Sequence, residues 1–365
     1  MGLKHLREPS IQKFTSKKTF KISIIYLIAI GSVIFAGLFG LFVSSVSIPI
    51  QTIVSIITHK MFNIASLSDF TLTEQLIIWE IRLPRVIIGL LVGASLSLAG
   101  ATLQGLLRNP LAEPYTIGIS AGSSLGAVIV IYFKLSLFGL GIMTTLPFVS
   151  IIGALVALIS VLLITRLSYT RLANETIILA GIILSSFINA IITLLISLSS
   201  KEEMSMILYW MMGNLGMKTW VHVWLMLPFF VVGSLILLLK TKELNALSLG
   251  ENAASHIGVN VKKEKILLLL AATLLTGSAV SISGAIGFVG LVIPHLVRIV
   301  IGANHKNLLP LSMLIGGAFL AFADSIARTV IEPRELPIGV ITALIGAPVF
   351  SWLLVRHRTG KRGLK

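Results

Sequence analysis

Apolar residues in this chain gather into long uninterrupted blocks parted by short polar breaks. Blocks able to cross a hydrocarbon core of ~30 Å lie at 22–43, 85–107, 117–133, 146–165, 176–197, 220–239, 266–283, 286–301, 309–328 and 337–355. Those at 117–133 and 286–301 are short for a full crossing. Such blocks predict helices, because an open strand would leave backbone groups unpaired in lipid. The expected fold class is all-α, a polytopic membrane protein with about ten transmembrane helices.

The polar breaks carry a second pattern. Ten crossings return both termini to one side, and the positive-inside rule places Lys and Arg on the cytoplasmic one. In this scheme 21 of the 29 basic residues share a side, among them Arg108, Arg166, Arg171, Lys240, Lys262, Arg298 and Lys306. Both termini are therefore expected to be cytoplasmic. Residues 1–21 and 356–365 read as basic tails, and 22–355 as one ten-helix domain. The first block is longer than the roughly 7–15 residues of a signal-peptide core and is expected to be a retained helix. Residues 44–84, with Pro49, Asn63, Asp69 and Pro84, are too polar for a span and predict short surface helices and turns outside. A five-plus-five division would make the halves inverted repeats, as in many transporters, but internal similarity is too faint to establish it.

Composition agrees. Hydrophobic residues make up 56% and charged residues 12%, against about 25% charged in a soluble domain. Too little charge is present to cover a soluble surface. The net charge of +15 would suit nucleic acid if it were clustered on one domain; its distribution along alternate loops points to a membrane, and no nucleic-acid partner is expected. The absence of cysteine removes thiolate metal sites and Cys nucleophiles.

Several apparent motifs carry little chemistry. Gly118-Ile119-Ser120-Ala121-Gly122 matches the nucleophile-elbow spacing, yet that elbow needs a strand before it and a converging His and acid. The bases His222, His256 and His295 are scattered along the chain, and an intramembrane serine hydrolase is the enzyme alternative. No metal site is expected at His295, which has no His, Asp or Glu at ligand spacing. Gly213 to Thr219 fails the spacing of a phosphate-binding loop, so the chain is not expected to hydrolyse ATP. Asp324 and Arg328 sit four apart on one helix and read as a neutralising pair. A stand-alone secondary carrier or channel would call for ionisable residues at midplane, which the spans lack. Energy then has to come from a partner. The cytoplasmic stretch 240–265 is the candidate contact, with Leu244, Leu247, Leu249, Ala253, Ala254 and Ile257 on the watery side and Gly250 and Gly258 as turn residues. The pattern suits two short amphipathic helices with Gly258 between them.

A set of segments now carries a resemblance. Arg82-Leu83-Pro84-Arg85, the Gly-rich 89–105, Asn109-Pro110-Leu111-Ala112-Glu113-Pro114, Gly118 to Gly122 and Trp210 to Gly213 occur in order. They are followed by Leu249-Gly250 with Gly258-Val259, Gly287 to Arg298, Asp324 with Arg328, Glu335 to Gly339 and Gly346-Ala347-Pro348. Over residues 75–355 the chain resembles the permease subunits of type II ABC importers, the iron-siderophore and cobalamin permease family. The resemblance implies that Arg82, Arg85 and Arg328 dock acidic residues of a substrate-binding protein. It implies an inner gate at Asn109 and Leu111 with Asn174 and Glu175, and an ATPase coupling loop at 240–265. It further implies a dimer with a second permease copy or paralogue, two cytoplasmic ATPase subunits, and a prokaryotic plasma membrane. No cofactor is implied in this chain, ATP being used by the partner. The implied cargo is an iron-siderophore-type chelate, with cobalamin or haem as alternatives.

Overall fold

The computed structural model describes residues 8–44, 46–63, 69–137, 141–168, 172–331 and 334–362. Among these every regular element is helical. Helices α1 (Glu8–Phe42), α2 (Ile50–Phe62), α3 (Leu72–Leu76) and α4 (Leu83–Leu106) come first, with a π-helical turn at Ile77–Arg82 leading into α4. Next are α5 (Ile119–Tyr132), α6 (Ile142–Ser168), α7 (Asn174–Leu198), α8 (Lys201–Met211) and α9 (Trp220–Leu239). Two short helices, α10 (Thr241–Leu249) and α11 (Glu251–His256), precede α12 (Val261–Ser283), α13 (Val289–Ile301), α14 (His305–Thr329) and α15 (Ile338–Arg362).

Among the described residues seven helices are long and apolar enough to cross a membrane, and three shorter apolar ones join them at Ile119–Tyr132, Val289–Ile301 and Ile338–Leu353. Each of the ten apolar blocks is thus a helix. The two short blocks stay short: at 1.5 Å per residue α5 and α13 reach only about 20 Å. Each begins where the chain takes a left-handed turn, at Gly118 (φ 87°) and Phe288 (φ 67°). Glycine takes that conformation freely, whereas phenylalanine there is a strained exception.

α4 is the hub. It packs against α14, α12, α13 and α9 and is buried almost throughout. Small residues make that possible, since a methyl on Gly100 would overlap the Gly290 carbonyl and one on Gly93 that of Gly316. Backbones in such contact gain dispersion that larger side chains would prevent. α6 lies at the rim and is apolar all round. Ala154, Leu158 and Val161 turn inward, whereas Ile152, Val156, Ile159 and Leu163 are more than half exposed. A helix with two apolar faces is solvated by lipid on one of them.

Two boundaries differ from the sequence reading, and the short helices expected over 44–84 gain a core of their own. α1 starts at Glu8 and α15 runs to Arg362, so the basic tails continue helices rather than forming separate segments; residues 1–7, Arg171 and 363–365 lie outside the described residues. Segment 44–84 contains α2, α3 and the π turn, and it has a small core of its own at Ile48, Ile53, Ile56 and Ile78. The glycine between α10 and α11 is Gly250 (φ 126°), not Gly258, which follows α11 at φ 86°.

Candidate functional site

At the N-terminal end of α4, Arg82 and Arg85 lie beside Arg328 from the last turn of α14. Arg85 forks onto Asp324, with Nε 3.0 Å from Oδ2 and Nη2 3.0 Å from Oδ1. Its Nη1 donates to Glu335 Oε1 at 2.9 Å. Asp324 also holds Arg328, whose Nε is 3.3 Å from Oδ2, and Arg328 Nη2 reaches the Gly40 carbonyl at 3.1 Å. Arg82 donates to the carbonyls of Leu41 and Val46. The structure brings the three arginines together as expected but corrects the picture of free charges. They are 3%, 7% and 3% exposed, and each already has partners inside the chain. A buried guanidinium is tolerated only when paired, and two acids plus the end of α1 supply the pairing.

The opposite face, where α10 and α11 lie, holds the second site. Gly250 separates the two helices, and their residues divide sharply. Leu244, Leu247 and Ala254 are buried against the ends of α4, α7 and α12 in the chain's own core. Leu249 and Ile257 are 75% and 68% exposed, and Ala253 is exposed beside them. Expecting the whole apolar set to face water was therefore wrong for half of it. A helical pair has two faces, and the body of the protein takes only the one turned toward it.

This pair is bolted down at its base. Lys265 donates to Glu251 Oε1 and to the Leu172 carbonyl, both at 2.5 Å. Lys240 bridges Glu243 at 3.1 Å and Glu264 at 2.8 Å, and those carboxylates raise its pKa.

The expected inner-gate residues fall close by. The Asn109 side chain accepts from the Leu111 N–H at 2.9 Å and so shapes the turn after α4. Asn174 donates to the Leu106 carbonyl at 3.4 Å, tying the start of α7 to the end of α4. A polar cleft of about 540 Å³ is lined by Arg108, Ala173, Asn174, Glu175 and residues 249–253. Asn174 and Glu175 thus share one cleft with residues of α10 and α11, whereas Asn109 and Leu111 are not among its lining residues. Burial pushes the carboxyl of Glu113, in the loop before α5, up to about 7.

One residue passed over in the sequence, His305, completes the arrangement. Asn245 of α10 binds His305, the first residue of α14: its Oδ1 accepts from the His305 backbone N–H at 2.9 Å and lies 2.7 Å from Nδ1. The only signal was a polar Asn304-His305 step ahead of an apolar block. His295, one of the three candidate bases, packs edge-on to Phe350 with ring centroids 5.8 Å apart. Ser120 is fully buried, and its Oγ has no hydrogen-bond partner among the described residues, so no base touches it. Nor do those residues contain a cluster of three His, Asp or Glu able to hold a metal.

The FecCD transport family model matches residues 32–356. The chain is 44% identical over 339 residues to an uncharacterized ABC transporter permease protein, YvrB, of Bacillus subtilis, covering 93% of this chain and 95% of that one. It is 45% identical to the cobalamin import system permease protein BtuC of Halobacterium salinarum, over 77% of this chain and 74% of that one. Among solved structures it is similar to a metal-chelate type ABC transporter in an inward-facing conformation, with a TM-score of 0.76 and 32% identity. That match covers 92% of this chain and 99% of the other.

Proposed function

Since the chain belongs to the FecCD transport family, and is thereby an ABC importer permease that leaves ATP hydrolysis to separate subunits, we propose that it forms the path for a bulky metal chelate handed over by a binding protein. The observation that carries the reading is the split surface of α10 and α11. Leu244, Leu247 and Ala254 anchor the pair to the membrane body, and Leu249, Ala253 and Ile257 are left outward. Full burial of one leucine contributes about 1.5–3 kcal/mol, so these three side chains suit a cleft in an ATPase subunit.

The working unit is a dimer of this chain with a second copy or paralogue, two ATPases below it and a binding protein above, in a prokaryotic plasma membrane with both termini cytoplasmic. ATP-driven closure of the ATPases moves α10 and α11, and the turn at Asn109 and Leu111 opens or shuts the path. Asn174 and Glu175 line the cleft through which that motion passes. Arg82, Arg85 and Arg328 receive acidic groups of the binding protein only by exchanging their internal partners. The cargo is a ferric siderophore, cobalamin or haem, and the relative named for cobalamin import puts cobalamin first in the assay.

The test is uptake into liposomes holding the chain with its ATPase and binding protein, using labelled cyanocobalamin, haemin and a ferric hydroxamate. ATP-dependent accumulation of one of them supports the reading. Uptake by the chain alone, with no ATPase, would favour a stand-alone carrier.

A further inference from the structure

We infer that His305 is the strut that carries movement of the coupling pair to the inner end of α4, a role that rests on the importer reading above. The geometry fixes its chemistry. A backbone N–H can only donate, so the Asn245 atom 2.9 Å from the His305 N–H must be the amide oxygen. The same oxygen lies 2.7 Å from Nδ1, so Nδ1 carries the proton and donates as well. Asn245 Nδ2 then donates to Asn304 Oδ1 at 3.1 Å, which locks the amide in that orientation.

The other side of the ring faces α4. Nε2 is buried, with no hydrogen-bond partner among the described residues, and the ring lies so close to Gly105 that a methyl there would overlap it. His305 is 2% exposed, and an imidazole has few ways to fold aside. A push on α10 through Asn245 therefore arrives at Gly105. From Gly105 the chain runs one residue to the Leu106 carbonyl held by Asn174. It then turns at Arg108 (φ 53°), whose guanidinium lies beside Gly250 between the two coupling helices. The gate turn is thus linked to the coupling pair at two points, one rigid and buried through His305 of α14, the other long and exposed through its own Arg108. An orphaned ring nitrogen pressed on a glycine does little for stability, because a buried polar atom without a partner costs free energy. A rigid contact is what it provides.

The variant His305→Asn separates the two halves of this contact. Its amide nitrogen can replace Nδ1 toward Asn245, but the side chain is too short to reach Gly105. The chain has no cysteine, so Leu111→Cys accepts a single spin label, and the distance between labels in the dimer reports the gate. In the assembled transporter, His305→Asn should keep its ATPase and hydrolyse ATP at a normal rate. The label distance should no longer change on trapping with ATP and vanadate, and transport per ATP should fall about tenfold or more. Adding Gly105→Ala should restore the movement by filling the gap, whereas Gly105→Ala alone should impair it. Normal gate movement in His305→Asn overturns the inference. So does loss of the ATPase from His305→Asn, because the residue would then serve assembly alone. If labels in the otherwise unaltered chain do not respond to ATP, the importer reading fails instead.

Discussion

Lys265 reaches Glu251 across the base of the α10–α11 pair, with its Nζ 2.5 Å from the carboxylate and only 1% of its side chain exposed. The same ammonium donates to the Leu172 carbonyl, so α11, α12 and the loop before α7 meet at one atom. Its partner is a third exposed, which makes the pair asymmetric.

That asymmetry predicts unequal losses. Glu251→Ala leaves a buried ammonium with a single carbonyl and should destabilise the protein by about 3–5 kcal/mol. Lys265→Met fills the space without a charge and should cost far less. Thermal unfolding of the two variants in detergent decides this; equal midpoints would mean the pair is solvated and unimportant.

Asp324 lies between Arg85 and Arg328 on the far face. Asp324→Asn should remove the shared counter-charge from two buried guanidiniums and lower stability by about 3–5 kcal/mol. Glu335→Gln, with 37% of its side chain exposed, should cost under about 1 kcal/mol. Binding-protein association measured on the Glu335→Gln variant then tests docking without a folding defect. Tighter or faster association at low salt is expected, because one competing acid is gone.

The two faces of α10 and α11 should respond differently to a charge. Ile257→Glu, at 68% exposure, should leave a normally folded chain that no longer retains the ATPase. Ala254→Glu places a carboxylate in a position with no exposure and should disrupt the fold itself. Size-exclusion profiles alongside ATPase co-purification separate the outcomes. Full ATPase retention by Ile257→Glu would mean this surface is not the contact.

Glu113 supplies a dependence on pH. Burial raises its carboxyl to about 7, above the roughly 4.3 of an unfolded chain. The protonated form is the one the fold favours, so the contribution is intact below pH ~4 and is lost as pH climbs through about 7. Glu113→Gln should therefore be no more stable at pH 4 and more stable at pH 8, by at most about 4 kcal/mol. Denaturation midpoints at the two pH values check the sign; a gain at pH 4 would contradict it.

Much of this was legible along the chain for a simple reason. A span must be apolar over its whole length, so the ten blocks are written locally, and each became a helix, the first and last of them extended into the basic tails. The family's segments were equally local, and they led to the arginines, the gate turn and the coupling loop. What hydropathy does not encode is which side of an apolar helix meets protein and which meets lipid or a partner. Leu247 and Leu249 stand two residues apart on α10, and one is buried while the other is 75% exposed.

Tertiary structure alone decided the pairings. Arg85 and Asp324 are 239 positions apart, and Asn245 and His305 are 60. Nothing local relates such partners: the first pair meets only once α4 and α14 have packed backbone to backbone through Gly93 and Gly316, the second only once α10 has docked on the start of α14. By itself the sequence determined the number of apolar blocks, the kind of solvent around them and the residues available for contact. Packing decided that the arginines face inward, that half of the coupling loop belongs to the core, and that a histidine at the start of α14 touches α4. Charge and hydropathy are properties of single positions, whereas burial and partnership are properties of pairs.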